Sequence, residues 1–79
     1  MSRDEIFEII ARHTREVVPG LQVHAFKPGD SLKALGANSI DRVDIIMATL
    51  ESLSLAIPLT AMAKAENMGE LAGIIYERS

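Results

Sequence analysis

Apolar residues recur at helical spacing in three stretches of this chain. In the first, Ile6, Ile9, Ile10 and Val17 fall on one side, with His13 beside them. Ser2 followed three residues later by Glu5 is a capping box that sets the start of this helix. Arg12 and Arg15 lie toward its end, where positive charge suits the helix dipole, and Pro19-Gly20 stops it. Residues Gly20 to Ala37 keep no period of either kind, so this segment reads as a long loop. Leu21, Val23 and Phe26 are its isolated apolar anchors, Pro28-Gly29-Asp30 is a turn signal, and Asp30 to Lys33 has the makings of one helical turn with Leu32 and Leu35 facing inward. A loop of this length in a small domain is packed or functional. It has to cross the bundle and connect two helices that run roughly the same way.

The second helix is expected from Ser39 to Leu53, and it carries two apolar stripes instead of one. Ile40, Val43, Met47 and Leu50 form the first, flanked by Asp44 and Glu51; Ile45, Ile46 and Leu53 form the other. A helix on the outside of a small bundle buries one stripe. The second stripe therefore either faces a partner or cargo, or marks a helix buried on both sides. After Ile57-Pro58, which disfavours helical geometry, Leu59 to Lys64 suit a short helix. Asn67 with Glu70 resembles another capping box, and Met68, Leu71, Ala72 and Ile75 share one face of a last helix. Gly73 on that helix leaves room for a neighbour. The order is helix, long loop, helix, short helix, helix. That is an all-α architecture: a small four-helix bundle of three longer helices and a short third one, in a single domain over residues 1–79.

Composition narrows the function. With 79 residues the domain buries only about 60% of its unfolded surface, which leaves little room for an internal catalytic cleft. The apolar share of 48% belongs to a folded globular protein, and with Phe7, Phe26 and Tyr76 the only aromatics the core must be aliphatic. A net charge of -3 without any Lys/Arg cluster argues against nucleic acid as a partner. No run of 18 apolar residues occurs, so no membrane span is expected. The charged start Met1-Ser2-Arg3-Asp4-Glu5 opens a helix and does not read as a signal peptide. The absence of cysteine suits a cytoplasmic location and means that any thiol chemistry must come from an added group.

Ser39 opens the longest apolar-periodic run, so its hydroxyl lies at or near a helix N-terminus, where backbone N–H groups lack partners and the dipole is positive. Two readings of it stand: a helix cap, or the anchor of a phosphodiester-linked group, since a helix N-terminus suits a phosphate. No catalytic set surrounds it. Nucleophilic catalysis needs a base against the nucleophile, and His13 and His24 are both remote in sequence. Without cysteine, two histidines make no metal site, and Gly36 stands alone where a phosphate loop would need several glycines. The chain reads as a module that binds, carries or presents something, with no catalytic residue and no metal.

Leu35-Gly36-Ala37-Asn38-Ser39-Ile40, with Asp41 and Asp44 after it and Ile57-Pro58 before the short helix, resembles the acyl carrier proteins of fatty acid and polyketide synthesis. The likeness runs over essentially the whole chain. It implies a bundle of acyl-carrier type, with Ser39 as the attachment point for 4'-phosphopantetheine. A phosphopantetheinyl transferase would add that arm, and its terminal thiol would carry an acyl thioester. In this family the second helix is the main recognition surface. The residues implied in partner recognition are Asn38, Ile40, Asp41, Arg42, Val43, Asp44, Met47 and Leu50, with Met62 from the short helix. Two departures stand out. Asn38 replaces the usual Asp, which removes a negative charge beside the arm, and the segment after Pro58 lacks the acidic residues common in fatty acid carriers; Arg42 adds a positive charge just after the site.

With Ser52 to Pro58 and Asn67 to Ala72, these departures are similar to the free-standing donor carriers of polyketide β-branching cassettes. Such a carrier presents an acetyl thioester, made by decarboxylating a malonyl thioester, to a hydroxymethylglutaryl-synthase-like enzyme. That implies an acyltransferase and a decarboxylating ketosynthase as further partners, and a monomeric carrier. The alternatives are a carrier of another polyketide, fatty acid or non-ribosomal peptide pathway, and a cofactor-free helical interaction module.

Overall fold

A computed structural model describes all residues from 1 to 79. Four helices follow in the expected order: α1 (Arg3–Val17), α2 (Ser39–Ser52), α3 (Leu59–Met62) and α4 (Met68–Arg78). Helix α1 begins where its capping box says it should. The Glu5 amide donates to Ser2 Oγ and the Ser2 amide to Glu5 Oε1, both at 3.1 Å. The Ser2 amide, then the Ser2 hydroxyl, hold the Glu5 carboxyl below its ordinary pKa.

Helix α1 is the common seat of the bundle, packing against both α2 and α4, while α3 lies on α4. Ile6 and Ile10 of α1, Ile45 of α2, and Met68 and Ile75 of α4 are fully buried. The core is aliphatic, as the composition requires. Its two buried polar side chains are satisfied within their own helices: Thr14 Oγ1 donates to the Ile10 carbonyl (2.7 Å) and Thr49 Oγ1 to the Ile45 carbonyl (2.8 Å). Gly73 is buried against α1, where a Cβ would collide with the Arg3 guanidinium. At the far end, His13 Nε2 meets Ser52 Oγ (2.9 Å), which brings the C-terminal parts of α1 and α2 together. The loop must therefore return along the bundle before α2 begins.

It does so by docking on the start of α4. The amides of Met68 and Gly69 donate to the carbonyls of Asp30 and Pro28, each at 2.8 Å, so the loop takes up N–H groups that α4 cannot satisfy itself. Gly69 permits that approach: a Cβ there would sit 2.9 Å from Pro28 Cβ and 3.0 Å from the Pro28 carbonyl oxygen. Asn67 caps the same helix through the Glu70 amide (2.8 Å). The Glu70 carboxylate does not complete the expected box; it accepts from the Glu66 amide (3.1 Å) and from Asn67 Nδ2 (3.2 Å).

The loop is also braced from within. Arg15 donates to the His24 carbonyl (3.1 Å) and its guanidinium lies over the Phe26 ring, against which His24 packs edge-on. Asp30 closes the cluster, accepting from the Lys27 amide (2.9 Å) and contacting His24 Nε2 (3.1 Å); these two contacts, the amide first, depress its pKa. Leu21 and Phe26 are half-buried anchors, but Val23 is 95% exposed and anchors nothing. The braced segment turns Phe26 inward and leaves Val23 outside.

Candidate functional site

The Leu35-Gly36 turn aims the chain into α2. Residues 32–36 make a single helical turn, and Gly36 ends it with φ +103, a conformation L side chains resist. The Gly36 amide donates to the Lys33 carbonyl (3.1 Å) and the Ala37 amide to the Leu32 carbonyl (3.0 Å). That pair of bonds is a Schellman stop, and it buries Ala37 as its apolar seal. After Ala37 and the cap residue Asn38, α2 starts. A stop and a start separated by two residues fix the direction in which the first turn of α2 points.

Asn38, not Ser39, is the cap. The Asp41 amide donates to Asn38 Oδ1 (2.8 Å) and the Asn38 amide to Asp41 Oδ2 (3.2 Å), a complete capping box. Ser39 is then the first residue within the helix. Its hydroxyl is exposed and makes no hydrogen bond to the protein, and the amides of Ser39 and Ile40 have no acceptor. The capping alternative for Ser39 is thereby removed: an adjacent side chain already does that work. What remains is a free primary hydroxyl beside two free N–H donors at the positive end of a helix, which fits a phosphodiester.

A cavity of about 660 Å³ opens next to this hydroxyl. Ser39, Arg42 and Ile46 line it from α2, Leu59 and Met62 from α3, Leu71 from α4, and Lys33 from the loop. It is mostly apolar, with Lys33, Arg42 and Glu66 as its charged lining residues, and within the usual size of a small-molecule pocket. The Arg42 guanidinium reaches back over the first turn, where Nη1 donates to the Ala37 carbonyl (2.9 Å). Neither histidine is free to act on Ser39: His13 is held by Glu16 and Ser52, and His24 by Asp30.

The expected exposed stripe on α2 is real but one residue shorter. Ile40, Val43 and Met47 are 72%, 40% and 55% exposed, with Asp44 exposed among them. Leu50, expected to continue the stripe, is buried at 7%. Its burial follows from the end of the helix. The Leu55 amide donates to the Leu50 carbonyl (2.9 Å) and the Ser54 amide to Glu51 (3.1 Å), a second Schellman stop that folds Leu55 and Ile57 toward Leu50. Met62 is likewise buried, at 2%, because the single turn of α3 packs that side chain inward toward α4. Leu59, which the periodicity did not mark, holds the exposed place on α3. Four residues are too few to show a period, so only its position just after Ile57-Pro58 signalled it.

Known proteins match this arrangement. A family model described as "Phosphopantetheine attachment site" covers residues 5–75. A polyketide biosynthesis acyl carrier protein, AcpK of Bacillus subtilis (strain 168), is 44% identical over 78 residues, spanning 99% of this chain and 95% of that protein. Among solved structures, the crystal structure of the curacin biosynthetic pathway HMG synthase in complex with acetyl donor-ACP contains a chain that superposes with a TM-score of 0.90. The identity is 45%, over 95% of this chain and 96% of that one. A helical bundle with an unengaged serine hydroxyl at a helix start, no base of its own beside it and a family model spanning nearly its whole length is a carrier and not a catalyst. The chain belongs to the phosphopantetheine-binding acyl carrier protein family, whose members hold a 4'-phosphopantetheine group.

Proposed function

We propose that Ser39 carries the arm, and that the chain is an acetyl donor for β-branching in polyketide biosynthesis. The observation that carries the assignment of the serine is its position: first in α2, relieved of capping by Asn38, with an unengaged hydroxyl on the rim of the cavity. Loading joins Ser39 Oγ to the β-phosphorus of coenzyme A. The pyrophosphate bridge breaks, the adenosine bisphosphate leaves with the electron pair, and the hydroxyl proton passes to a base. Since both histidines of this chain are engaged elsewhere, the phosphopantetheinyl transferase supplies that base. The diester so formed is an anion at the positive end of α2, beside the free amides of Ser39 and Ile40. The arm's thiol then supplies the thioester chemistry that a cysteine-free chain lacks.

The donor role rests on likeness to a carrier solved with an HMG synthase, at 45% identity over 95% of this chain. A hydroxymethylglutaryl-synthase-like enzyme would take the acetyl group and condense it with the β-ketone of a chain held on another carrier. An acyltransferase and a decarboxylating ketosynthase would supply the acetyl thioester. The docking face is the exposed stripe Ile40, Val43 and Met47, continued by Leu59 and bordered by Asn38, Asp41, Arg42 and Asp44. An apolar strip framed by charges of both signs suits a transient protein contact that is read by charge pattern. The carrier acts as a monomer in the cytoplasm.

The test is loading followed by transfer. With a transferase and coenzyme A the protein should gain one arm, and Ser39→Ala none. The acetyl-loaded form should then pass its acetyl group to a hydroxymethylglutaryl-synthase-like enzyme. Loading by an adenylation enzyme with an aminoacyl group, and no acetyl transfer, would assign it to peptide synthesis instead.

A further inference from the structure

The least expected charge in the molecule is Arg42. It stands one turn into α2, and helical side chains lean toward the N-terminus of their own helix. The bond from Nη1 to the Ala37 carbonyl at 2.9 Å shows how far it leans: the guanidinium passes Ser39 and reaches the residue before the cap. Residues three apart on a helix are surface neighbours, so this places the cation beside the Ser39 side chain, and both line the same cavity.

Electrostatically this is a poor place for it. A positive charge near a helix N-terminus opposes the dipole, and Arg42 is partly withdrawn from water. No carboxylate lies within ion-pair distance of it, although Glu66 lines the same cavity. The only acid–base contacts at ion-pair distance are His13–Glu16 and His24–Asp30, charged pairs only when the histidine is protonated, and the nearest carboxylate in sequence, Asp41, is turned to the Asn38 amide. A guanidinium has five N–H donors in a planar fork suited to phosphate oxygens, and the protein occupies one of them. Lys33 lines the same cavity from the loop side, again with no acidic partner.

We propose that Arg42 is a positioning residue for the arm: its free N–H groups hold the phosphodiester on Ser39 against the first turn of α2, so that the arm leaves along the cavity between α2 and α3. Lys33 adds to the field from the opposite side. The unmodified protein thus carries an unpaired cation that the phosphodiester would pair. This role rests on Ser39 as the attachment point. It also differs from a contact between Arg42 and a partner enzyme, because it acts within the isolated carrier.

The experiment compares unloaded and loaded forms of the wild type, Arg42→Gln and Arg42→Lys, without any partner present. Gln keeps a donor for the Ala37 carbonyl, and Lys keeps the charge without the fork. Urea unfolding at low salt should show that loading raises the folded-to-unfolded ratio of the wild type about three- to fivefold, the scale of a partly exposed charge pair. The gain should be absent in Arg42→Gln, partial in Arg42→Lys, and largely lost in 1 M NaCl, where screening reaches about 3 Å. The Arg42 Nε–H resonance should move on loading. An equal gain in wild type and Arg42→Gln, with an unmoved Arg42 resonance, would overturn the proposal while leaving Ser39 as the attachment point. If the wild type takes up no arm at all, the assignment of Ser39 falls and the role of Arg42 with it.

Discussion

Two positions with positive φ make opposite demands on the same rule. Gly36 ends the turn before α2 at φ +103, and Ser54 ends α2 itself at φ +55. Both sit at the left-handed residue of a Schellman stop, with matching pairs of backbone bonds. A side chain in the left-handed region costs roughly 1–2 kcal/mol. Gly36→Ala should therefore destabilise by about 1–2 kcal/mol. Because a Cβ at Gly36 would meet nothing within 4 Å, the cost is conformational and not steric. For a domain of this size that lowers the thermal midpoint by about 4–8 °C per kcal/mol. Ser54→Gly removes the same strain but adds freedom to the unfolded chain, so the net gain is smaller, about 0.5–1 kcal/mol. Urea unfolding of both variants and of the double mutant measures these, and the two effects should add, since the sites close opposite ends of α2. A loss below about 0.5 kcal/mol for Gly36→Ala, or a loss of any size for Ser54→Gly, would refute the reasoning, because variation within that band is ordinary for surface positions.

Asn38→Ala should cost about 1 kcal/mol of unfolding free energy through the lost cap, whereas Ser39→Ala should stay within about 0.5 kcal/mol, since the Ser39 hydroxyl makes no bond to the protein; equal losses from both would mean that Ser39 shares the capping. Gly69→Ala should cost about 1–3 kcal/mol by urea unfolding, because Pro28 backbone and ring would have to move. The Asp30 carboxyl is held below its ordinary value by the Lys27 amide and then by His24, so it contributes stability that is complete above its unfolded pKa of about 3.9 and is lost as pH falls through the lower folded value. Asp30→Asn should flatten the acid limb of a stability-against-pH curve in that window, and an unchanged limb would assign it to other carboxylates.

Much of this molecule is legible in its residues. The Ser2–Glu5 box set the start of α1 to the residue, and the resemblance around Leu35 to Ile40 identified the family. Other features depended on contacts that periodicity does not encode. Asn38 and Ser39 are adjacent and equally able to cap a helix; the sequence left Ser39 open as the cap, and only the geometry of the turn gives that place to Asn38. Leu50 keeps the period of the exposed stripe, and its burial depends on a fold-back at Ser54 that a serine does not announce. Met62 and Leu59 exchange roles on a helix of one turn, too short for any face to be read. The loop has no pattern of its own because its partners are the first amides of α4, nearly forty residues later in the chain.

The central claim is that Ser39 bears the arm, and peptide mapping tests it most directly. Trypsin cutting after Lys33 and Arg42 releases Ala34 to Arg42, in which Ser39 is the single hydroxyl side chain. After incubation with a phosphopantetheinyl transferase and coenzyme A, fragmentation mass spectrometry should find one pantetheine phosphate on that peptide and none elsewhere. An arm on any other serine or threonine, or an unmodified protein with several transferases, would contradict the claim.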